Sequence, residues 1–114
     1  MGTGNSNYVR EWTDAAAAFN DRGDLEPLLD MLDDKVVWLG VGESKTAAAE
    51  ALEQAKQAGW VRHDTTSAAV EGPFLAVTAR NTNQDGTTSS VAGVAAFNDA
   101  GKITHLASLD TNAL

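Results

Sequence analysis

The apolar residues of this chain follow a helical period up to Gly59 and a period of two after it, which limits the chain to folds that join helices to a sheet. Before Gly59, the pattern predicts three helices, at 8–20, at 24–32 and from Ser44 or Thr46 to about Ala58. One short strand, at 36–38, precedes the third helix. After Gly59, turn-forming segments separate four candidate strands at 61–71, 74–82, 87–97 and 103–110. The pattern therefore predicts an α+β fold with three N-terminal helices packed on a curved, mainly antiparallel sheet.

Length and composition limit the possible classes of function. A chain of 114 residues with 43% hydrophobic residues can bury one core, so we expect a single domain at 8–114 behind a flexible leader at 1–7. The 8 Lys and Arg against 16 Asp and Glu give a formal charge of −8, which disfavours nucleic acid and anionic membranes as partners. With no cysteine and two histidines, no metal and no cofactor are expected. No apolar run approaches about 20 residues, and a cytoplasmic location is expected.

Two segments resemble a known fold family. The segment FNDRGDLEPLLDMLDDKVVWLGVG, at 19–42, is similar to the helix, Gly-Asp-Leu, helix, Asp-Asp and strand opening of the nuclear transport factor 2-like superfamily. The segment FNDAGKITHLASLD, at 97–110, resembles the closing hairpin of that superfamily, which includes SnoaL-like polyketide cyclases and ketosteroid isomerase. The resemblance implies a cone-shaped α+β barrel and a homodimer. It does not imply one activity, because the superfamily holds isomerases, dehydratases, epoxide hydrolases, cyclases and proteins without catalysis.

The ketosteroid isomerase mechanism needs three functional groups that this sequence lacks at the matching positions. That enzyme uses a carboxylate base on its first strand and an oxyanion hole made by a tyrosine and a protonated aspartic acid. By the resemblance, the tyrosine position falls on Ala16, the base on Leu39 and the protonated acid on Gly93. Steroid isomerisation by that mechanism is therefore not expected, and these positions leave open whether the chain is an enzyme.

The turn between the third and fourth candidate strands decides which side chains face the helices. A two-residue turn at Asp85-Gly86 would pair Thr78 with Gly93. With that register and strict alternation, the predicted inward side chains are Phe74, Thr78, Arg80, His63, Thr65 and Ser67. In the last strand, the family resemblance implies that the inward side chains are Thr104, Leu106, Ser108 and Asp110. A slip of one residue would turn such a set outward.

Three of these side chains are candidates for acid/base chemistry. Asp110 lies where many SnoaL-like proteins carry an aspartate, and at an apolar pocket mouth it could exchange a proton with a ligand; the alternative is a solvated strand end. His63 could be a general acid or base oriented by Asp110, or a surface residue at a strand start. Arg80 could orient a ligand or stabilise an oxyanion if it faces inward, whereas facing outward it would only solubilise the sheet.

The predicted ligand-binding wall combines aromatic, apolar and small residues from the helices and the strands. Its members are Trp38, Ala16, Phe19, Leu39, Thr78, Gly93, Phe97, Leu106 and Ser108. Trp12 is assigned to the core instead, because aromatic residues at regular helical spacing usually pack there. His105 falls on the opposite face of the last strand from Asp110, so we expect no catalytic role for it.

These observations favour a small-molecule-binding protein. The first hypothesis is a cofactor-independent lyase, isomerase, cyclase or hydrolase that acts on an apolar polyketide-, terpene- or steroid-like substrate, with Asp110 as acid/base. The alternatives are a noncatalytic binder of an apolar ligand and a structural dimerisation module. A homodimer through the outer sheet face is expected because an apolar patch would lie there, made of Leu75, Val77, Ala79, Ala92, Val94 and Ala96.

Overall fold

The computed structural model describes residues 6–110, with side chains from Asn7 onward, and contains three helices and five strands in that range. The helices are α1 (Ser6–Arg22), α2 (Glu26–Asp30) and α3 (Lys45–Gln57). The strands are β1 (Leu32–Trp38), β2 (Trp60–Glu71), β3 (Phe74–Asn83), β4 (Thr88–Phe97) and β5 (Ile103–Asp110). Helix α1 begins within the segment that the sequence predicted as a leader, whereas residues 1–5 of that leader lie outside the described residues.

The five strands form one open sheet in the order β1-β5-β4-β3-β2. Strand β1 pairs with β5 in parallel, and the other neighbouring pairs are antiparallel. The predicted α+β class, the three helices and the mainly antiparallel sheet are therefore confirmed. The predicted barrel is not, because β1 and β2 remain at the two edges of the sheet and do not pair with each other.

The ends of the helices follow local sequence signals. The Ser44 hydroxyl accepts a hydrogen bond from the Ala47 amide at 3.0 Å and caps α3, as the sequence predicted. Helix α2 has only five residues and gives way at once to β1, which starts earlier than predicted. Leu32 is already paired with Ile103, and the register shifts between Leu32 and Val37.

The turn between β3 and β4 has three residues, so the predicted two-residue turn is wrong. The Gly86 amide donates to the Asn83 carbonyl at 2.9 Å, and Gly86 has a φ of +88°, which glycine adopts without strain. The Asp85 carboxylate accepts hydrogen bonds from both the amide and the hydroxyl of Thr87. This arrangement is typical of a three-residue hairpin loop, and it moves the strand pairing by one residue.

The corrected register reverses the predicted orientation of β3. Thr78 lies opposite Ala92, and Arg80 lies opposite Ser90. Leu75, with 1% of its surface exposed, faces the helices, whereas Phe74 is 50% exposed on the outer face. Three residues that the sequence placed in the outer patch therefore lie on the inner face of β3: Leu75, Val77 and Ala79. The outward orientation predicted for Ala92, Val94 and Ala96 agrees with the structure.

The core lies between the inner sheet face and α1. Tyr8 stacks on Phe97 with ring centroids 3.8 Å apart, and Phe19 stacks on Trp60 at 4.1 Å. Both pairs join α1 to strands that are distant in sequence, so they fix the position of the helix over the sheet. Val36, with none of its surface exposed, continues this core from β1.

Of the helices in residues 6–110, none combines the length and the apolar character needed to cross a membrane.

Candidate functional site

The inner sheet face changes from apolar to polar along the strands. Near the Phe97 end, its side chains belong to the hydrophobic core. Toward the other end, strand pairing aligns His63 on β2 with Asn81 on β3 and Asn81 with Ser89 on β4. We call His63, Asn81 and Ser89 the polar row. Its outer members, His63 and Ser89, are each only 8% exposed, so polar chemistry is buried here beneath α1.

His63 is held by its main chain as well as by its ring. The Asn20 side chain of α1 accepts a hydrogen bond from the His63 amide at 2.7 Å and donates one to the His63 carbonyl at 2.8 Å. The imidazole Nδ1 lies 2.6 Å from Asn81 Oδ1. The rings of Trp12 and Trp60 contact the imidazole edge-on, with centroids 5.7 and 6.1 Å away. The imidazole is therefore fixed in an aromatic setting.

Three polar atoms around this imidazole are buried and have no hydrogen-bond partner within residues 6–110. They are His63 Nε2, Trp12 Nε1 and Thr65 Oγ1. Thr65 is two residues after His63 on β2, so both side chains point to the same face. An unpaired buried polar group costs about 1–3 kcal/mol, and such groups in folded proteins call for a specific explanation. These three atoms are therefore polar groups of the inner face that the described residues leave without a partner.

Burial lowers the pKa of His63, although the hydrogen bond to Asn81 and the negative charge of Asp64 act in the opposite direction. The imidazole is therefore neutral at pH 7, because its ordinary pKa of about 6.5 is already below that pH. A neutral imidazole with one free ring nitrogen can accept a proton.

This lowered pKa predicts a loss of stability in acid. Below about pH 6.5, His63 becomes protonated in the unfolded chain but stays neutral in the folded chain, where its pKa is lower. The free energy of unfolding therefore falls as the pH falls. The slope contributed by one proton is at most about 1.4 kcal/mol per pH unit. Chemical denaturation between pH 7.5 and 5 should show a smaller decline for His63→Gln than for wild type. The exposed His105 is the matched control, and equal slopes for His63→Gln and His105→Gln would contradict the assignment.

Asp110 does not orient His63. It lies on β5 opposite Val91, and its carboxylate accepts a hydrogen bond from the Ser89 hydroxyl at 3.4 Å. Strands β3 and β4 lie between β5 and β2, so Asp110 and His63 are on the order of 14 Å apart across the sheet. The position that the sequence assigned to Asp110 beside the imidazole is occupied by Asn81.

Arg80 and Thr78 lie on the outer face, contrary to the predicted orientation. Arg80 is exposed, and Thr78 Oγ1 forms hydrogen bonds of 2.7 Å with the hydroxyls of Thr66 and Ser67. Ser67 was also predicted to face inward, but the register of β2 shifts between Thr65 and Ser67, which turns it outward. These side chains are therefore separated from the polar row by the sheet itself.

The helix residues assigned to the ligand wall are core residues, as is Phe97, and the turn residue Leu39 is in solvent. Ala16 is 4% and Phe19 1% exposed, and Phe19 is covered by the Trp60 ring. Phe97 is covered in the same way by Tyr8. Leu39 follows the end of β1 and is 64% exposed, so the prediction that it forms apolar wall is wrong.

The remaining predicted wall residues on the strands lie on the inner sheet face. Leu106 packs against the core, and the Trp38 indole donates a hydrogen bond to the Ser108 hydroxyl at 3.3 Å. Gly93 leaves room beside Ser108, because a Cβ there would lie 3.8 Å from Val77 Cγ2 and 4.0 Å from Ser108 Cβ. This small, partly apolar surface continues from the polar row toward β1. Thr104, also predicted inward, bonds its hydroxyl to the Ala96 carbonyl at a register shift.

Asn81 was not predicted as a site residue, whereas Trp12, which was assigned to the core, does pack against the core and also contacts His63. Trp12 follows Tyr8 by four residues and shares its helix face, a spacing that indicates core as readily as a site. Asn81 could be recognised as an inward residue only with the correct loop length between β3 and β4. Within residues 6–110, no three His, Asp or Glu side chains converge as a metal site would require.

Two open depressions lie on the outer sheet face. The larger has a volume of about 560 Å³, and its outward-pointing lining includes Ala69, Ala76, Ala92, Val94 and Leu109. The smaller, of about 390 Å³, adjoins Arg80 and Ser90. Val94 and Leu109 are 49% and 54% exposed. The part of the outer face around Val94 and Leu109 is therefore open and apolar, in contrast to the buried polar site on the inner face.

The fold and the inner polar site together define a class: a small α+β protein whose helices cover one face of an open five-stranded sheet. No protein-family model matches the chain. No curated protein matches it either. Several solved structures, in contrast, match the fold of this chain. A SnoaL-like family protein of Agrobacterium tumefaciens, assigned as an isomerase, is 19% identical with a TM-score of 0.73 over 92% of this chain and 97% of that one.

Two further solved structures have the same architecture. AclR of Streptomyces galilaeus, assigned as a hydroxylase, is 16% identical with a TM-score of 0.78 over 95% of this chain and 91% of that one. A protein of Sinorhizobium meliloti, assigned as a polyketide cyclase, is 16% identical with a TM-score of 0.74 over 94% of this chain and all of that one (100%). The chain therefore shares its fold with these proteins, one of which is described as SnoaL-like, as the sequence resemblance predicted.

Proposed function

We propose that this chain binds a small apolar molecule on its inner sheet face and catalyses cofactor-independent proton transfer on it, with His63 as the general base. The observation that carries the proposal is the presence of buried, unpaired polar atoms on His63, on Thr65 of the same strand face and on Trp12, whose ring contacts the imidazole. The SnoaL-like fold supports it, since similar structures are assigned as an isomerase, a polyketide cyclase and a hydroxylase. The reaction would be of the isomerase, lyase, cyclase or hydrolase type, on a polyketide-, terpene- or steroid-like substrate.

The chemistry that suits these groups is removal of a proton beside a carbonyl. The C–H bond breaks, its proton moves to His63 Nε2, and the electron pair moves to the carbonyl oxygen to form an enolate. Trp12 Nε1–H would donate a hydrogen bond to that oxygen, and the buried setting strengthens this interaction. Return of the proton to another carbon gives an isomer, whereas attack of the enolate on a second carbonyl gives a ring.

Asp110 enters the proposal as a second proton-transfer group. Its carboxylate lies on β5, on the order of 14 Å from His63 across the sheet, so one large ligand could contact both. The apolar side chains that lie between them on the inner face of β3 and β4, Ala79 and Val91, would then pack against the ligand body. A ligand of polyketide size suits this separation, since a group at each end could meet its own acid or base.

A general test of the proposal is hydrogen exchange on apolar ketones in D₂O. The purified chain is incubated with 1-tetralone and with 4-phenyl-2-butanone, and loss of the α-proton signals is followed by NMR. We expect exchange above the rate of buffer and of an equal concentration of free imidazole. Binding without accelerated exchange across a ketone series would overturn catalysis and leave a noncatalytic binder.

The outer sheet face favours a second candidate role, a structural homodimer. Phe74, Val94 and Leu109 are each about half exposed there, and a monomer rarely leaves so much contiguous apolar surface in water. Two copies could bury this surface by packing sheet against sheet around a two-fold axis. This role is compatible with binding on the inner face, because the two faces share no side chains.

The dimer gives its own prediction. Val94→Glu should convert a dimer to a monomer, because it places a charge in the middle of the apolar face, where association would desolvate it. Light scattering after size exclusion measures the mass directly. Val41→Glu is the matched control, since Val41 is 44% exposed in the turn before α3 and not on the sheet. A monomeric wild type, or a Val94→Glu variant that remains dimeric, would contradict the prediction.

A further inference from the structure

We propose that Asn81 is a positioning residue that holds His63 as its Nδ1–H tautomer, so that the site presents Nε2 as an acceptor and selects a ligand group able to donate a proton. This inference rests on the proposed function of the same site. It concerns which groups the ligand must carry, and it can be tested on the free protein.

The tautomer follows from the contact between the two side chains. Asn81 Oδ1 lies 2.6 Å from His63 Nδ1, and a carbonyl oxygen can only accept a hydrogen bond. Nδ1 must therefore carry the proton. In a neutral imidazole the other ring nitrogen, Nε2, then has a free lone pair. This atom is one of the three buried polar atoms without a partner in the described chain.

The pair is held by rigid elements. Backbone pairing of β2 with β3 places Asn81 directly opposite His63. Asn20 fixes the His63 main chain from α1, and the rings of Trp12 and Trp60 limit rotation of the imidazole. A site whose orienting groups lie on strands and a helix keeps its geometry before the ligand arrives.

The neighbouring groups then specify the ligand. Trp12 Nε1–H can only donate, Nε2 can only accept, and the Thr65 hydroxyl can do both. A ligand hydroxyl can accept a hydrogen bond from Trp12 Nε1–H and donate one to His63 Nε2. A ketone with an acidic α-C–H can do the same with two groups, because its carbonyl oxygen accepts from Trp12 while its C–H faces Nε2. A carboxylate cannot satisfy both atoms, because its oxygens have no proton to donate and would face the lone pair of His63 Nε2. The charged groups nearest to His63 are Asp64, which also disfavours an anion, and Arg62, whose guanidinium is paired with Asp64 at 2.8 Å.

The test is ¹⁵N NMR of the full chain labelled at histidine, above the titration of His63. Long-range ¹H–¹⁵N correlations distinguish a protonated from a bare ring nitrogen. We expect a protonated Nδ1 and a bare Nε2 for His63, and an average of both tautomers for the exposed His105. A protonated Nε2 in His63 would overturn the proposal, since it would mean that the Asn81 amide donates to Nδ1 instead.

Variants separate positioning from a merely structural role. Asn81→Asp should retain the Nδ1–H tautomer and raise the pKa of His63 by about 1–3 units, since a carboxylate then faces the imidazole. Asn83→Asp is the matched control: it adds the same charge to the same strand two residues away, where the wild-type amide bonds Thr87. Equal pKa values of His63 in these two variants would overturn the proposal. The wild-type tautomer remains decisive if Asn81→Asp does not fold.

The ligand class is tested with phenol against benzoate in the same spectra. Phenol should shift the His63 Nε2 and Trp12 Nε1–H signals, whereas benzoate at the same concentration should leave both unchanged. A response to benzoate equal to that to phenol would overturn the selection of a donor. The two tests fail in distinguishable ways: a bare Nε2 without catalysed exchange sinks only the catalytic function, whereas catalysed exchange with a protonated Nε2 sinks this inference and assigns the base to a group other than His63.

Discussion

Replacing His63 with glutamine should reduce ketone α-proton exchange by at least about 100-fold, because general-base catalysis by a positioned side chain contributes about 10²–10⁴ in rate. Glutamine retains a polar side chain of similar length but cannot accept the proton. The wild-type imidazole is suited to the task because burial keeps it neutral and Asn81 fixes it in place. The measurement is the exchange rate in D₂O at pH 7.5, with the folded state of the variant checked by thermal unfolding.

Two further variants make the result specific. His105→Gln changes the chain's other histidine, which is exposed on the outer face of β5, and should keep the wild-type exchange rate. Asp110→Asn removes the other proposed acid/base group without changing its size. Loss of exchange in Asp110→Asn and not in His63→Gln would transfer the catalytic role to Asp110. Loss of exchange in both variants would assign one proton-transfer step to His63 and another to Asp110, at opposite ends of the ligand.

Replacing Leu75 with alanine should destabilise the chain by about 2–5 kcal/mol, which is a large part of the 5–15 kcal/mol typical of a small domain. Leu75 has 1% of its surface exposed, and its side chain lies in the core beneath α1. Its neighbour Phe74 is larger but half exposed on the opposite face, so Phe74→Ala should cost about 1 kcal/mol or less. Urea denaturation of the two variants measures both values.

The comparison of these adjacent residues tests the strand register as well as the core. A two-residue turn between β3 and β4 would place Phe74 inside and Leu75 outside, and would reverse the two costs. A greater loss for Phe74→Ala than for Leu75→Ala would therefore contradict the register on which the polar row depends. Because the row aligns His63 with Asn81 through β3, a wrong register would also remove the proposed tautomer contact.

Much of the fold was predictable because it depends on local patterns. The helical spacing of Tyr8, Trp12 and Phe19 predicts one amphipathic helix, and Ser44 marks the start of another. The family resemblance implied that Leu106, Ser108 and Asp110 share the inner face of β5, and the pairing with β4 agrees. The alternation after Gly59 predicts the four hairpin-connected strands. These signals act within a few residues, so the sequence contains all of them.

The candidate site depended on distances that no local pattern contains. The loop between β3 and β4 has three residues and not two, because Asp85 bonds Thr87 and Gly86 adopts a positive φ. A shift of one residue reverses every side chain of a strand relative to its neighbour. That single difference turned Arg80 outward and brought Asn81 beside His63. The irregularity of β2 between Thr65 and Ser67 had the same effect on Ser67.

The sequence by itself determined the elements, their order, the α+β class and the resemblance to the SnoaL-like fold, since spacing, caps and turn residues act locally. Only the tertiary structure decided which polar side chains share the buried face. His63, Asn81 and Trp12 come from β2, β3 and α1, and their meeting depends on strand register and on the position of one helix over the sheet. Register is a collective property of paired strands, because burial of a whole face selects it and no single residue does.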